Sequence, residues 1–551
     1  MNDSRLVRGT LLLTAATMIS RVLGLIYYFP FIWLVGIQGA ALYAYAYNPY
    51  VLLLSAATVG LPLAVSKFVS KYNALGDYRT GRKLFRSGIF VMLGTGFAAF
   101  LFLFLSADAI APLFIGEGDL TGNRLEDVAF VIRVVSFALL VVPVMSLIRG
   151  YFQGFESMGP TAVSQVVEQM VRIAFILISG FIIIVLLKGD RTTAVAFAVF
   201  GAFVGALGGL FVLLVYWRKR KPYLDQLMAG STVEHDISLP AMYKELLSYA
   251  IPFVLVGLAI PIYQQVDTMT MVKTLMFAGM TQAEAESVYA IVNQTTNKII
   301  MIPVSFATAL GLTLIPTITK TYTARDRRKL QAQISQTFQI LLFLTLPAAA
   351  GLSVLAYSAY GTLYGTTDIV LGGELLRWYA PTAILFAAFT AAAAILQGIN
   401  RQKLAVFALL CGILIKMLLN RPFIAKWEGI GAIIATDIGY LFSVVFCLLA
   451  IKTFTRFRFA FIAKRTLLIG IFTTIMGAAV WLVKWPLERL LADGYSEESS
   501  YFAVLLILVL GIAVGGSVYL WLAWRSGLLV QVFGKRLPFF RHLQKKQRNA
   551  E

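Results

Sequence analysis

Six basic side chains fall inside long apolar runs or at their edges: Arg21, Arg133, Arg172, Lys298, Arg377 and Lys416. A cation facing hydrocarbon costs several kcal/mol, so each needs water, a partner or an anionic ligand. Arg133 and Arg377 stand near the outer ends of their runs, where a long side chain reaches interfacial water. Arg21 and Lys298 lie deeper. Thr14, Thr17, Arg21 and Tyr28 recur at helical spacing and share one polar stripe, as do Asn293, Gln294, Asn297 and Lys298. Gln165, Glu168, Gln169 and Arg172 form a third stripe. A fourth run carries Gln264, Gln265 and Asp267, with Pro252 and Pro261 placed to bend it. Such stripes line a water-filled cavity or hydrogen-bond helix to helix. For Glu168 and Arg172, an i, i+4 pair, the structural reading weighs as much as the functional one. A cavity around Arg21 and Lys298 would hold phosphate, with Asn293 and Asn297 beside it. Tyr43, Tyr47 and Asn48 would offer stacking and hydrogen bonds to a sugar. Asp267, Gln264, Glu168 and Arg172 are the candidates for coupling or for polar lining of the cavity.

Other chemistry has little support. The chain has two histidines, His235 and His542, and two cysteines, Cys411 and Cys447, the latter both inside apolar runs. Without a metal-ligand cluster, P-loop or nucleophile elbow, the reading is a transporter and not an enzyme, with no metal and no disulfide. The acidic loop Gly116 to Asp127 reads as a solvated outer face, although a membrane glycosyltransferase would place carboxylates there.

Composition demands membrane elements around these residues. Of 551 residues, 59% are hydrophobic and 13% charged, and the mean hydropathy is +0.80. Soluble domains carry about 25% charged residues. A helix crosses the hydrocarbon with about 20 apolar residues, and fourteen runs qualify: Leu11 to Val35, Tyr43 to Val65, Ser87 to Leu105, Val128 to Leu147, Thr161 to Leu187, Thr193 to Tyr216, Leu246 to Val272, Val288 to Ile318, Phe338 to Tyr357, Leu375 to Leu396, Leu404 to Leu419, Ile430 to Ile451, Thr466 to Trp485 and Tyr501 to Trp524. The net charge of +20 would suggest nucleic acid on a soluble chain, but its distribution excludes that partner. Alternate loops hold 33 basic residues on one side and 8 on the other. Lys and Arg accumulate on the cytoplasmic side, where they meet anionic lipid headgroups. The expected protein is therefore an all-α polytopic plasma-membrane protein with fourteen transmembrane helices and both termini cytoplasmic. No A-x-A site follows the first run, which reads as a retained helix.

Internal similarity organises the helices. Arg133 and Gln153-Gly154 recur as Arg377 and Gln397-Gly398 at one offset of 244 residues. The expected plan is an N-lobe over 1–217, a cytoplasmic linker over 218–244 opened by Arg218 to Lys221, and a C-lobe over 245–452. The two six-helix lobes are related by pseudo-symmetry, with the substrate site between them. Two further helices over 453–524 and a basic tail over 525–551 follow.

The stretches Ser20-Arg21-Val22-Leu23-Gly24, Arg149-Gly150-Tyr151-Phe152-Gln153-Gly154 and Pro160 to Gln169 resemble the polysaccharide-exporter flippases of the MOP superfamily. More narrowly, they are similar to the Gram-positive branch that contains the stage V sporulation protein B-like proteins and the lipid II flippases of the MurJ class. The resemblance implies export of undecaprenyl-pyrophosphate-linked sugars, lipid II foremost, by alternating access. It also implies a lipid-tail groove at the last two helices. Arg21 stands where a basic residue of that family contacts pyrophosphate, and Lys298, five residues before Pro303, stands at a position usually Arg. Lys keeps the charge without bidentate geometry. The chain departs from the family at Tyr27 and Tyr28, which replace an Arg-Asp pair, and at Tyr43 to Tyr47, which lack charged residues.

The alternatives are export of another lipid-linked polysaccharide unit (teichoic, capsular or spore-related), a cation-coupled drug antiporter, and a membrane glycosyltransferase. No cofactor is expected. Without an ATP-binding motif, energy would come from Na+ or H+ coupling, the membrane potential or the substrate gradient. Partners would be the lipid-linked glycan, anionic lipids at the basic loops and the cell-wall synthesis machinery, with a monomer as the default state.

Overall fold

The computed structural model describes residues 3–58, 61–116, 121–231, 238–491 and 495–529. His235 and most of the basic tail lie outside these residues. Among them there is no strand, because apolar runs of this length satisfy their backbone groups in lipid only as helices or a closed barrel. Contacts divide the chain into two compact units, Met1–Ala290 and Ile291–Glu551.

The first unit contains α1 (Asp3–Ile26), α2 (Tyr28–Thr58), α3 (Leu61–Ala74), α4 (Tyr78–Leu105), α5 (Ala107–Phe114), α6 (Leu125–Ser136), α7 (Ala138–Gly154), α8 (Met158–Phe181), α9 (Arg191–Ala229), α10 (Leu239–Gly257), α11 (Ala259–Phe277) and α12 (Gln282–Ala290). The second opens with a π-helical turn, Ile291–Thr296. It continues through α13 (Asn297–Thr323), α14 (Arg327–Val354), α15 (Ala356–Tyr364), α16 (Ile369–Tyr379), α17 (Thr382–Gly398), α18 (Gln402–Thr455), α19 (Ala460–Leu491) and α20 (Tyr501–Arg525).

Ten helical stretches among the described residues are long and apolar enough to cross a membrane. Eight match one apolar run each. The other two, Ala15–Thr58 and Gln402–Thr455, cover two runs each. Both long stretches turn at non-helical residues, Gly36 (φ 70°, ψ 179°) in α2 and Trp427-Glu428 in α18, between the apolar runs that each covers. The two runs left over, from Leu246 and from Val288, are the polar-interrupted ones. The first breaks between α10 and α11 at Leu258, because Pro261 has no N–H for the Gly257 carbonyl one turn back.

Helix bounds repeat between the units. Tyr78–Leu105 returns 249 residues on as Arg327–Val354, and Leu125, Ala138 and Gly154 return 244 residues on as Ile369, Thr382 and Gly398. Capping repeats with them. Asp77 accepts from the Thr80 N–H at the start of α4, and Asp326 accepts from the Lys329 N–H at the start of α14. The left-handed residues before these caps, Gly76 and Arg325, correspond, as do Glu156 and Asn400 after α7 and α17. Matching caps and turns at constant offsets are what a duplicated chain retains.

The basic cluster read as the start of a linker is helical. Arg218 to Lys221 extend α9, and Arg220 donates to Ser157 and lies over the Phe152 ring. One turn earlier, Trp217 is held by Arg82 above its ring at 4.8 Å and by Phe85 at 5.1 Å. These contacts carry the helix beyond the apolar run.

Candidate functional site

In the first unit, α2 and α8 bring together charged and aromatic side chains that the sequence had placed on separate stripes. α8 lies against the glycine face of α9. A Cβ on Gly205 would fall 2.7 Å from the Arg172 Cβ and 2.8 Å from the Glu168 carbonyl, so the two backbones are in direct contact. That contact fixes the root of Arg172. Its head reaches α2, where Nη2 donates to the Tyr43 hydroxyl at 3.2 Å and the guanidinium lies 5.3 Å from the centre of the Tyr47 ring. Tyr43 and Tyr47 stack at 5.3 Å, and Phe31 and Tyr28 meet the Tyr43 ring at 5.4 and 6.3 Å. Tyr43 is buried and Tyr47 half-buried. The cluster thus presents one fixed cation against an aromatic wall.

Glu168 is engaged elsewhere. Its Oε2 accepts from Arg149 Nη2 at 2.8 Å, and Arg149 Nε donates to Ser164 at 2.7 Å. The i, i+4 pairing with Arg172 considered from sequence does not form. The α7–α8 connection brings Arg149 across to Glu168, and aromatic contacts draw Arg172 to α2. Thr17 on α1 bonds Gln165 at 3.4 Å, so the first and third stripes face each other.

The side chain of Arg21 lies outside the described residues; its backbone belongs to α1. Asn48 is buried, and its amide donates to Thr268 at 2.9 Å and to the Tyr289 hydroxyl at 3.3 Å. This position ties α2 to α11 and α12. Asp267 is also buried beside Thr268, and Gln264 gives its carbonyl to the Thr268 hydroxyl at 2.8 Å. In the second unit, Asn293 is buried in the π-helical turn, a local geometry frequent at functional sites. Asn297 is buried and donates to the Tyr379 hydroxyl at 3.1 Å, and Lys298 is half-buried on the next position of α13.

Two polar clusters escaped the sequence reading. In the first unit, the buried Glu286 accepts from the backbone N–H and side-chain amide of Asn123 at 3.0 and 2.8 Å and from Gln282 at 3.1 Å. Asn123 also donates to the Gln38 carbonyl at 3.1 Å. In the second unit, the wholly buried Lys416 donates to Thr436 at 2.6 Å, and Asp437 accepts from Thr382 at 2.6 Å. Lys416 was visible as an intramembrane charge, but partners 20 residues away gave no local signal.

The sequence matches the family described as polysaccharide biosynthesis protein over residues 6–322 and the family described as lipid II flippase MurJ over residues 180–492. It is 48% identical to the lipid II flippase MurJ of Bacillus subtilis over 542 residues, covering 98% of this chain and 99% of that protein. The chain belongs to the lipid II flippase MurJ family. It is also 25% identical to the stage V sporulation protein B of Bacillus subtilis, over 76% of this chain and 77% of that one. The fold matches a solved lipid II flippase MurJ in an inward closed conformation, with a TM-score of 0.64 at 16% identity over 95% of this chain and 99% of that one. An inward-facing multidrug resistance MATE transporter of the MOP superfamily matches with a TM-score of 0.62 at 17% identity, over 80% and 95%. The chain is a multi-pass membrane transporter of this family and not an enzyme.

Proposed function

We propose that the protein moves lipid II, an undecaprenyl-pyrophosphate-linked cell-wall precursor, from the inner to the outer leaflet by alternating access. The observation that carries this reading is the 48% identity to the Bacillus subtilis flippase across nearly both whole chains. The polar content of the apolar runs agrees with it: Arg21 and Lys298 on their polar stripes favour an anionic headgroup over a cationic drug. Arg21 and Lys298 hold the pyrophosphate, and Tyr47 offers its half-buried ring to the sugars. Both termini are cytoplasmic, as the loop charges require.

Membrane potential can drive the cycle without ATP. Each unit charge crossing the field gains about 2.3 kcal/mol per 100 mV, so an empty positive cavity is drawn toward the cytoplasm and a polyanionic headgroup neutralises it there. Depletion of the protein, followed by leaflet-resolved mass spectrometry of undecaprenyl-linked intermediates, tests the assignment. Lipid II should accumulate in the inner leaflet. Accumulation of a teichoic, capsular or spore-related precursor, with lipid II unchanged, overturns it.

A further inference from the structure

We propose that Arg172 on α8 is a direct phosphate contact, supplying from the fifth apolar run a guanidinium that grips the diphosphate of the substrate. The inference rests on the reading that the cargo is a lipid-linked diphosphate, and it adds a residue outside the motif around Arg21.

Three observations carry it. First, Arg172 is a cation among tyrosines without a counter-ion. None of the ion pairs among the described residues includes it, and Glu168, one turn earlier on the same helix, is bonded to Arg149. Second, its hydrogen bonding is incomplete. Nη2 donates to Tyr43, but Nε is buried and donates to no described group. An unused donor on a buried guanidinium is costly unless a ligand accepts from it. Third, the side chain is aimed. The contact between Gly205 and the Arg172 Cβ fixes one end, and the Tyr43 hydroxyl with the Tyr47 ring fixes the other. A purely structural arginine would gain most from a carboxylate, and the nearest on its own helix, Glu168, is bonded to Arg149.

The chemistry fits phosphate oxygens more than carboxylate or sugar. A guanidinium offers parallel N–H donors in one plane, which match two oxygens of a phosphoryl group. Tyr43 engages Nη2 and Tyr47 lies against the guanidinium, while the buried Nε donor is unused. Tyr43 is in this account a positioning residue, because it acts through Arg172.

The test uses the full-length protein in nanodiscs, titrated with undecaprenyl diphosphate and with undecaprenyl monophosphate and read by native mass spectrometry. Wild type should prefer the diphosphate. Arg172→Met should weaken diphosphate binding at least about tenfold while changing monophosphate binding about threefold or less, and so narrow the preference. Arg172→Lys keeps the charge and the contact with Tyr47 but loses the fork. It should fold with a wild-type melting temperature and recover only part of the affinity, which a merely structural role would not predict. Tyr43→Phe should give an intermediate loss. If Arg172→Met or, should that variant fail to fold, Arg172→Lys binds diphosphate as wild type does, the inference is overturned while the flippase reading stands. Wild type that binds neither lipid overturns both.

Discussion

The pairing of Glu168 can be decided by two double-mutant cycles, because sequence and structure assign it different partners. Glu168 and Arg149 have side chains 21% and 12% exposed and approach to 2.8 Å. At an effective dielectric of about 20, two unit charges at that distance attract by roughly 6 kcal/mol. Desolvation of both groups offsets most of this. A measured coupling of about 2 kcal/mol is therefore expected between Glu168→Gln and Arg149→Met. Each single variant should lose more than the coupling, about 3 kcal/mol, since it leaves a partner buried without its counter-charge. The Arg149 variant also strips a donor from Ser164. The cycle of Glu168→Gln with Arg172→Met should instead give about 0.5 kcal/mol or less, the value of residues that share no contact. Unfolding free energies of the four proteins of each cycle, measured in mixed micelles, supply both numbers. If the 168–172 coupling equals or exceeds the 168–149 coupling, the geometry of the site is wrong, and the counter-ion argument for Arg172 goes with it.

Three further outcomes follow from packing and protonation. Gly150→Ala would place a Cβ 2.2 Å from the Pro62 carbonyl on the facing backbone. Overpacking against backbone should cost about 3 kcal/mol, and a wild-type melting temperature for this variant would contradict the contact between α7 and α3. Asn48→Ala leaves Thr268 and Tyr289 bonded to each other at 2.8 Å but removes their shared donor. The expected loss is about 1–2 kcal/mol in an unfolding titration, and no loss would show that the network does not hold α2 to α11. Glu286 precedes the eighth apolar run, and burial pushes its carboxyl from an ordinary 4.5 up to about 7 against the bonds from Gln282 and Asn123. With the folded value above the unfolded one, the folded state binds the proton more tightly. Its contribution is complete below about 4.5 and disappears as pH rises through about 7. Relative to Glu286→Gln, wild type should lose about 2–3 kcal/mol between about pH 4.5 and 8; parallel melting curves across that range refute the assignment.

What the sequence made legible was whatever repeats locally. Apolar runs and stripes at helical spacing announced helices and membrane, since each depends on neighbours within a few turns. The repeat at offset 244 was visible in three residues and extends to helix bounds and turns. Partners across the bundle were not legible. Asn48 and Thr268 are 220 residues apart, and nothing in either neighbourhood encodes the other. Glu168 shows why a spacing rule misleads: an i, i+4 neighbour was available, yet a closer cation crosses from α7. The place where the duplication fails is informative in the same way. Between α5 and α6 the chain has residues 115–124, whereas between α15 and α16 it has only 365–368. That longer loop contains Asn123, which donates to Glu286 and Gln38 and receives Gln282 on its carbonyl at 2.7 Å. Asn123 maps onto Thr367 at the offset of 244, so its tie between the α2 turn and α12 is made from a position that both loops possess. The two halves share a scaffold of capped helices, and in the first the shared loop position carries an asparagine whose amide bonds Glu286 and the Gln38 carbonyl.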